Sequence, residues 1–178
     1  MKKIFAVLIT LSLVSAPIYA QQWKPDVNDS LELSVAQAII KANERDPTLS
    51  MWFESAYAYA VFPRVGKGGF IVGGAGGKGL VIRGTQTVGS TSLSQVSIGA
   101  QIGGQVYAQY IMFKDQTAFD HFTRGNFEMG AQVSAVAVTL GASKDANYDS
   151  GVAVFTLADG GLMFEASVGG QKFNYTPR

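Results

Sequence analysis

Residues 96–113 carry the sequence VSIGAQIGGQVYAQYIMF, in which side chains of two kinds alternate. The even-numbered positions from Val96 to Met112 are apolar, aromatic or glycine, whereas the odd-numbered positions are mostly Ser, Gly and Gln up to Gln109. Such a period of two is typical of a β-strand that buries one face and exposes the other. Because the run is longer than one average strand, we expect it to bend or break at residues 103–104.

Strand signals continue on both sides of this stretch. All 21 glycines of the chain fall between Gly66 and Gly170. Residues 70–72 and 80–82 flank a glycine turn and predict a hairpin. Further strand candidates are residues 127–140, 152–157 and 162–168, the last two joined by an Asp-Gly-Gly turn at residues 159–161.

The segment before the first glycine has the period of a helix. A capping-box pattern at residues 29–32 opens an apolar run at helical spacing, which Pro47 ends. A second short helix is expected around residues 49–56, and residues 115–124 predict an internal helix that ends at Gly125. We therefore predict an α+β fold: a strongly curved, Gly-rich antiparallel β-sheet or partly closed barrel, with short N-terminal helices and one internal helix packed on it.

The N-terminus has the pattern of a secretory signal peptide. Lys2 and Lys3 precede an apolar run over residues 4–14, and a small residue, Ala20, stands at the expected cleavage point. The run is shorter than the ~20 residues that a membrane-spanning helix needs. We expect residues 1–20 to be a signal peptide, residues 21–30 a short linker and residues 31–178 a single domain, periplasmic or secreted after cleavage.

Composition excludes several classes of protein. The chain has 178 residues, 47% of them hydrophobic, which suits one domain with a core and argues against a disordered chain. It has no cysteine, so disulfides, zinc–thiolate sites and a cysteine nucleophile are excluded.

Charge is distributed unevenly along the chain. No acidic residue occurs between Glu54 and Asp115. A segment of one sign favours an anionic partner, although acidic residues packed nearby in the fold would balance it equally well. The five basic residues of this segment are Arg64, Lys67, Lys78, Arg83 and Lys114.

No motif for catalysis or for a cofactor is complete. The G-x-G-x-x-G at residues 74–79 is followed by more strand and by no acidic residue at the required distance, so we expect no nucleotide site. His121 is the only histidine, and no G-x-S-x-G elbow accompanies it. One short polar segment fits either a weak calcium site or a polar turn; its residues are Asp145, Asn147 and Asp149. We predict no catalytic residue, no resident metal, no cofactor and no nucleic-acid partner.

The order of the glycine motifs resembles the SYLF domain. The resemblance covers about residues 31–173 and implies a single mixed domain rich in curved β-structure that binds anionic lipids, phosphoinositides in its eukaryotic members. For an exported protein the matching targets are phosphatidylglycerol, cardiolipin or a host membrane. The motifs are AVFPRVGKGGFIVGG at residues 60–74, GGKGLVIR at 76–83, SIGAQIGGQ at 97–105 and GLMFEAS at 161–167, with the helix at 115–124 and the small-residue strand at 130–138.

These observations predict peripheral binding of anionic phospholipid headgroups through a basic glycine-rich hairpin. Backbone N–H groups of a glycine-rich turn attract phosphate, and basic side chains beside it add charge attraction. Other classes stay open: a periplasmic protein-interaction or stress-related structural module without lipid specificity, an outer-membrane barrel, and a hydrolase that uses His121. The predicted headgroup residues are Arg64, Lys67, Lys78 and Arg83; Trp52 and Phe53 are either apolar membrane contacts or core.

Overall fold

The computed structural model describes residues 23–69, 72–98, 104–125, 127–130, 133–159 and 168–178. No helix within these ranges is long and apolar enough to span a membrane. The elements, in chain order, are α1 (Ser30–Arg45), a 3-10 helix (Pro47–Leu49), α2 (Ser50–Ser55), β1 (Ala58–Gly69), β2 (Val72–Arg83), β3 (Gln86–Ile98), β4 (Gln105–Phe113), α3 (Gln116–Thr123), β5 (Phe127–Glu128), β6 (Ala135–Ala137), a second 3-10 helix (Ala142–Asp145), β7 (Val152–Ala158) and β8 (Lys172–Pro177).

The predicted helices form, and their ends follow the sequence signals. Asp29 caps α1, since its side chain accepts hydrogen bonds from the backbone N–H groups of Leu31 and Glu32. Glu32 does not return the bond to Asp29, because its carboxylate accepts from the backbone N–H of Asp26 instead, at 2.7 Å. The internal helix α3 ends before Gly125, which has a φ of +84° that glycine adopts without strain.

The strands form one sheet that curls on itself. Its order is β5-β8-β3-β2-β1-β4-β7-β6, antiparallel except for the β6–β7 pair. In a flat sheet β8 would lie about 14 Å from β1, three strand spacings away. The rings of Phe62 on β1 and Phe173 on β8 nevertheless lie 5.7 Å apart. The sheet is therefore a half-barrel, and the predicted α+β class with a strongly curved sheet is confirmed.

Both faces of the sheet are covered by apolar side chains. The concave face contains Phe62, Ile111, Phe113 and Phe173 and packs against α3. The convex face packs against α1 and α2. Its buried residues from the sheet include Val61, Leu80, Ile82, Tyr110, Met112 and Phe155.

The glycine run lies inside a strand, so the predicted turn there is wrong. Residues 73–79 belong to β2, which pairs with β1 on one side and with β3 on the other. The two arms of the actual hairpin are β1 and β2. Glycine is needed here because β1 has a bulge between Val61 and Arg64: a Cβ on Gly77 would lie only 2.7 Å from the carbonyl oxygen of Arg64.

The alternation over residues 96–113 identified one buried face of β4, with Ala108, Tyr110 and Met112, but it missed the burial of the other face and was wrong for Val96 in β3. The run separates into β3 and β4, which are not neighbours, and residues 99–103 between them lie outside the described part. Val96, predicted inside, is 79% exposed, whereas Gln109, predicted outside, is completely buried. Gln109 is buried because side chains pack on both faces of β4: Ile111 and Phe113 belong to the concave core, and Tyr110 and Met112 to the convex one.

The sequence prediction also missed β8 and the first half of β3, and it overextended another strand. The C-terminal residues form β8, which pairs with β3, although no strand was predicted there. The first half of β3, from Gln86, was missed as well. Within the described residues 127–130 and 133–140, the strands are the short β5 and β6. Of the candidate at 162–168, Val168 alone lies among the described residues, and it is buried.

Candidate functional site

A cleft of about 660 Å³ lies between α1 and the convex face of the sheet. Its floor on the sheet is apolar or aromatic and includes Ala108 and Tyr110 of β4 and Leu157 of β7, and Ala38 of α1 also lines the cleft. Tyr110 also fixes α1 above the floor, because its hydroxyl donates a buried hydrogen bond of 2.8 Å to the backbone oxygen of Ala38. Burial raises the pKa of Tyr110 well above its usual value, so it stays a neutral donor.

Two of the predicted headgroup residues come together at this cleft. Arg64 and Lys78 are directly opposite each other in the β1–β2 register, and both side chains are exposed. The bulge in β1 places Arg64 on the convex face, since Phe62 and Val65 on either side both belong to the concave core. The sheet thus presents two adjacent cations to the cleft.

Helix α1 supplies two further cations that sequence reasoning missed. Lys41 and Arg45 line the cleft from the last turns of α1. They stand four residues apart and therefore share one face of the helix. Residues 21–54 contain six acidic and three basic residues, and this net acidic charge hid the two cations from the sequence analysis. The signal that could have found them is their position on the helical period that already contains Leu31 and Ala38.

The four cations have no partner within the described residues. Neither a hydrogen bond nor an ion pair engages their side chains there. Glu44 and Asp159 also line the cleft, so its formal charge is +2. An open, apolar-floored cleft with unpaired cations favours an anionic ligand.

The other two predicted headgroup residues lie elsewhere. Lys67, half-buried, lies near the far end of β1, where it is opposite Ala75 and Gln105. Arg83 lies at the opposite end of the hairpin, and its guanidinium carbon stands 4.9 Å from the ring centre of Tyr57. Tyr57 packs against the concave core, so Arg83 is directed away from the cleft.

Trp52 and Phe53 are half-buried on α2 and pack inward. The Trp52 ring lies 5.0 Å from the rings of Tyr148 and Phe155, and its Nε1 donates to the backbone oxygen of Ser143 at 2.9 Å. Phe53 packs edge-on against Tyr59, at 5.1 Å. Both side chains attach α2 to the convex face of the sheet.

Asp46 fixes the end of α1 that carries Arg45. Its buried carboxylate accepts hydrogen bonds from Thr48 through N–H and Oγ1, and from the backbone N–H groups of Gly141 and Ser143, at 2.6–3.1 Å. Burial alone would raise the pKa of Asp46, but these bonds outweigh it and lower the pKa to about 2. The carboxylate is therefore ionised at neutral pH and holds α1 in place.

The described residues contain no group of three or more His, Asp or Glu side chains placed to hold a metal ion. Asp145, Asn147 and Asp149 are exposed, and the Asn147 side chain donates to the backbone oxygen of Asp145. His121 is exposed on α3 and contacts the edge of Phe127, with ring centres 5.1 Å apart.

Comparison with known proteins identifies similar sequences. Residues 94–176 match the model of the Ysc84 family, described as "Las17-binding protein actin regulator". The chain is also 30% identical over 138 residues to Beta cell expansion factor A of Aeromonas veronii. That alignment covers 76% of this chain and 52% of the relative, so the chain spans about half the length of this curated relative. The family match begins within β3, so α1, β1 and β2 precede it.

Proposed function

We propose that this protein, whose residues 94–176 match the Ysc84 (SYLF) family model, binds anionic phospholipid headgroups at the cleft between α1 and the sheet. The observation that carries the proposal is the convergence of Arg64, Lys78, Lys41 and Arg45 without partners among the described residues. Binding is proposed to be peripheral and to involve no catalysis.

Charge attraction sets the expected strength. Each Lys or Arg near an anionic membrane contributes about 1 kcal/mol. The attraction is screened over a Debye length of about 10 Å at 0.1 M salt and about 3 Å at 1 M. Four cations opposed by Glu44 and Asp159 should therefore give weak, reversible and salt-sensitive association.

The test is co-sedimentation of the purified protein with vesicles of phosphatidylcholine, alone or with phosphatidylglycerol. We expect binding only to the anionic vesicles, and release at 1 M salt. The double variant Arg64→Glu/Lys78→Glu should weaken binding about thirtyfold or more, since two attractive contributions become repulsive.

Matched charge reversals separate the cleft from general charge. Arg124→Glu reverses an exposed cation at the end of α3 and should leave binding unchanged within twofold. Lys67→Glu and Arg83→Glu test the other two cations of the hairpin segment and should have smaller effects, because neither lines the cleft. Equal loss in all of these variants would contradict a cleft site and leave only diffuse attraction.

The matched family's description, which names protein binding and actin regulation, favours a second candidate: a protein partner. This candidate is a module without lipid specificity. Co-sedimentation with purified actin filaments tests this candidate directly. Binding to filaments together with no binding to any vesicle would replace the lipid proposal.

The compartment is part of the proposal. We propose that residues 1–20 direct export and are removed, so that the protein meets phosphatidylglycerol or cardiolipin, or a host membrane after secretion. Expression of the full chain in a bacterium, followed by N-terminal sequencing of the exported product, tests this. An N-terminus at Gln21 is expected, and a product that keeps Met1 and stays inside the cell would contradict it.

A further inference from the structure

A row of polar side chains crosses the convex face of the sheet beside the cleft. Directly opposed residues on neighbouring strands run from Arg64 on β1 to Lys78 on β2, Ser92 on β3 and Asn174 on β8. They share one face, because Leu93 and Phe173, the next residues on β3 and β8, belong to the concave core. Neighbouring strands are about 4.8 Å apart, so the row changes from cationic to neutral and hydrogen-bonding within about 15 Å.

The neutral half of the row lines a second, smaller groove of about 240 Å³. Lys78 and Leu31 border both this groove and the cleft, so the two adjoin at Lys78. Ser90 and Thr176, opposed to each other in the β3–β8 register, form the next rung of the same groove.

The side chains of this groove are free to bind. Within the described residues, no hydrogen bond engages the hydroxyl groups of Ser90, Ser92 and Thr176 or the side-chain amide of Asn174. Hydroxyl and amide groups both donate and accept, which suits the hydroxyl groups of a polyol. An ammonium group would lie next to Lys78, where repulsion between like charges disfavours it.

Building on the proposed function, we propose that this groove is a subsite for an uncharged polyol attached to the phosphate that Arg64 and Lys78 bind. The preferred ligand class is thus a phosphodiester whose headgroup is glycerol or a sugar alcohol. A phosphate at Lys78 places the hydroxyl groups of such a headgroup beside Ser92 and Asn174, one and two strands away. Lipids whose headgroups end in an ammonium would be bound only by the attraction between their phosphate and the cations, without hydrogen bonds from the groove.

The test compares two lipids of the same net charge. Vesicles of phosphatidylcholine contain equal fractions of either phosphatidylglycerol or phosphatidylserine, and affinity is measured by co-sedimentation. We expect the protein to prefer phosphatidylglycerol about tenfold, the size expected for two net hydrogen bonds. The variant Ser92→Ala/Asn174→Ala should lose this preference and keep its affinity for phosphatidylserine within twofold.

Control variants test whether the lipid preference depends on the side chains that line the groove. Ser94→Ala changes the next residue on the same face of β3, which is exposed and lines neither groove, and should behave like the parent protein. Ser90→Ala/Thr176→Val alters the second rung independently and should reduce the preference in part. Circular dichroism checks the fold of each variant.

The experiment distinguishes failure of the polyol subsite from failure of the proposed headgroup binding. Equal affinity of the parent protein for both lipids, or equal loss of both in the Ser92/Asn174 variant, would overturn the polyol subsite and leave charge-based headgroup binding in place. An absence of binding to either anionic vesicle would overturn both the subsite and the proposed function.

Discussion

The concave and convex faces of the half-barrel differ in whether their polar side chains have hydrogen-bond partners. On the concave face Gln109 and Gln171 are completely buried and bond to each other across the half-barrel: Gln109 Nε2 donates to Gln171 Oε1 at 2.7 Å, and Gln171 Nε2 donates to Gln109 Oε1 at 3.2 Å. On the convex face Arg64 and Lys78 have no such partners among the described residues. Paired polar groups hold the fold together, whereas unpaired, exposed ones are available to a ligand.

The difference arises from how each face is covered. The concave face is closed by the curl of the sheet itself and by α3, so a polar group inside is stabilised only by a partner within the protein. The convex face is covered by α1 and α2 over only part of its area, and the cleft lies where α1 leaves the sheet open. Stability and binding should therefore respond to different substitutions.

The largest expected effect is the loss of an aromatic side chain from the concave core. Phe173 is 1% exposed and lies within 6 Å of the rings of Phe62, Phe122 and Phe127. Phe173→Ala should lower the free energy of unfolding by about 3–5 kcal/mol, measured by urea denaturation. The neighbouring Asn174→Ala, on the convex face, should change it by less than about 0.5 kcal/mol. Similar losses in both variants would contradict the two-face description.

The glutamine pair tests whether the concave polar groups depend on one another. Gln109→Leu leaves the Gln171 amide without its main partner in a buried site, which should cost up to about 3 kcal/mol. Adding Gln171→Leu removes the unpaired amide and should restore part of the loss, as a double-mutant cycle of unfolding free energies measures. Strict additivity of the two single losses would show that the pair is not coupled.

Asp46 gives the protein a pH-dependent contribution. Its folded pKa of about 2 lies below the usual 3.8, so its contribution of about 2 kcal/mol is complete above pH 4 and disappears as the pH falls towards 2. Asp46→Asn should lower the unfolding free energy by about that amount at pH 7 and much less at pH 2. An unchanged difference between the two proteins at both pH values would exclude this linkage.

Among the described residues, the concave face also contains a buried polar group that makes no hydrogen bond. Thr156, opposite Gln109 in the β4–β7 register, is 1% exposed, and its Oγ1 makes no hydrogen bond with the described residues. Thr156→Val keeps the shape and removes an unsatisfied hydroxyl, so it should raise the unfolding free energy by about 1 kcal/mol. Ser94→Val on the exposed face is the control and should have little effect. Destabilisation of Thr156→Val would indicate that the hydroxyl is satisfied in solution.

The sequence predicted the helices and the curved sheet because these depend on local patterns. The cap at Asp29 and the stop at Gly125 are short-range signals, and both are confirmed. The predicted inner face of β4 is buried, but the opposite face is buried as well, because alternation identifies a single buried face only when the other face meets water. The strand through residues 73–79 was missed because local propensity assigns glycine to turns, whereas here the bulge in β1 requires it.

The candidate site was predictable only in part, for the same reason. A run of basic residues in sequence identified Arg64 and Lys78, but it could not show that the strand pairing directs Arg83 to the other face. Lys41 and Arg45 belong to an acidic segment and join the site only through the packing of α1 on the sheet. Charge summed along the chain is therefore a poor guide to charge gathered in space.

The smallest expected effect on stability is at the cleft, and it is the sharpest test of the comparison. Because Arg64 and Lys78 are exposed, adjacent and unpaired among the described residues, Arg64→Gln/Lys78→Gln should change the unfolding free energy by less than about 0.5 kcal/mol. Removing the repulsion between two neighbouring cations could only favour the folded state slightly at low salt. The same variant should lose most of its affinity for phosphatidylglycerol vesicles, so stability and binding are separated in one protein. A loss of several kcal/mol would instead mean that these cations serve the fold, as the glutamines of the concave face do.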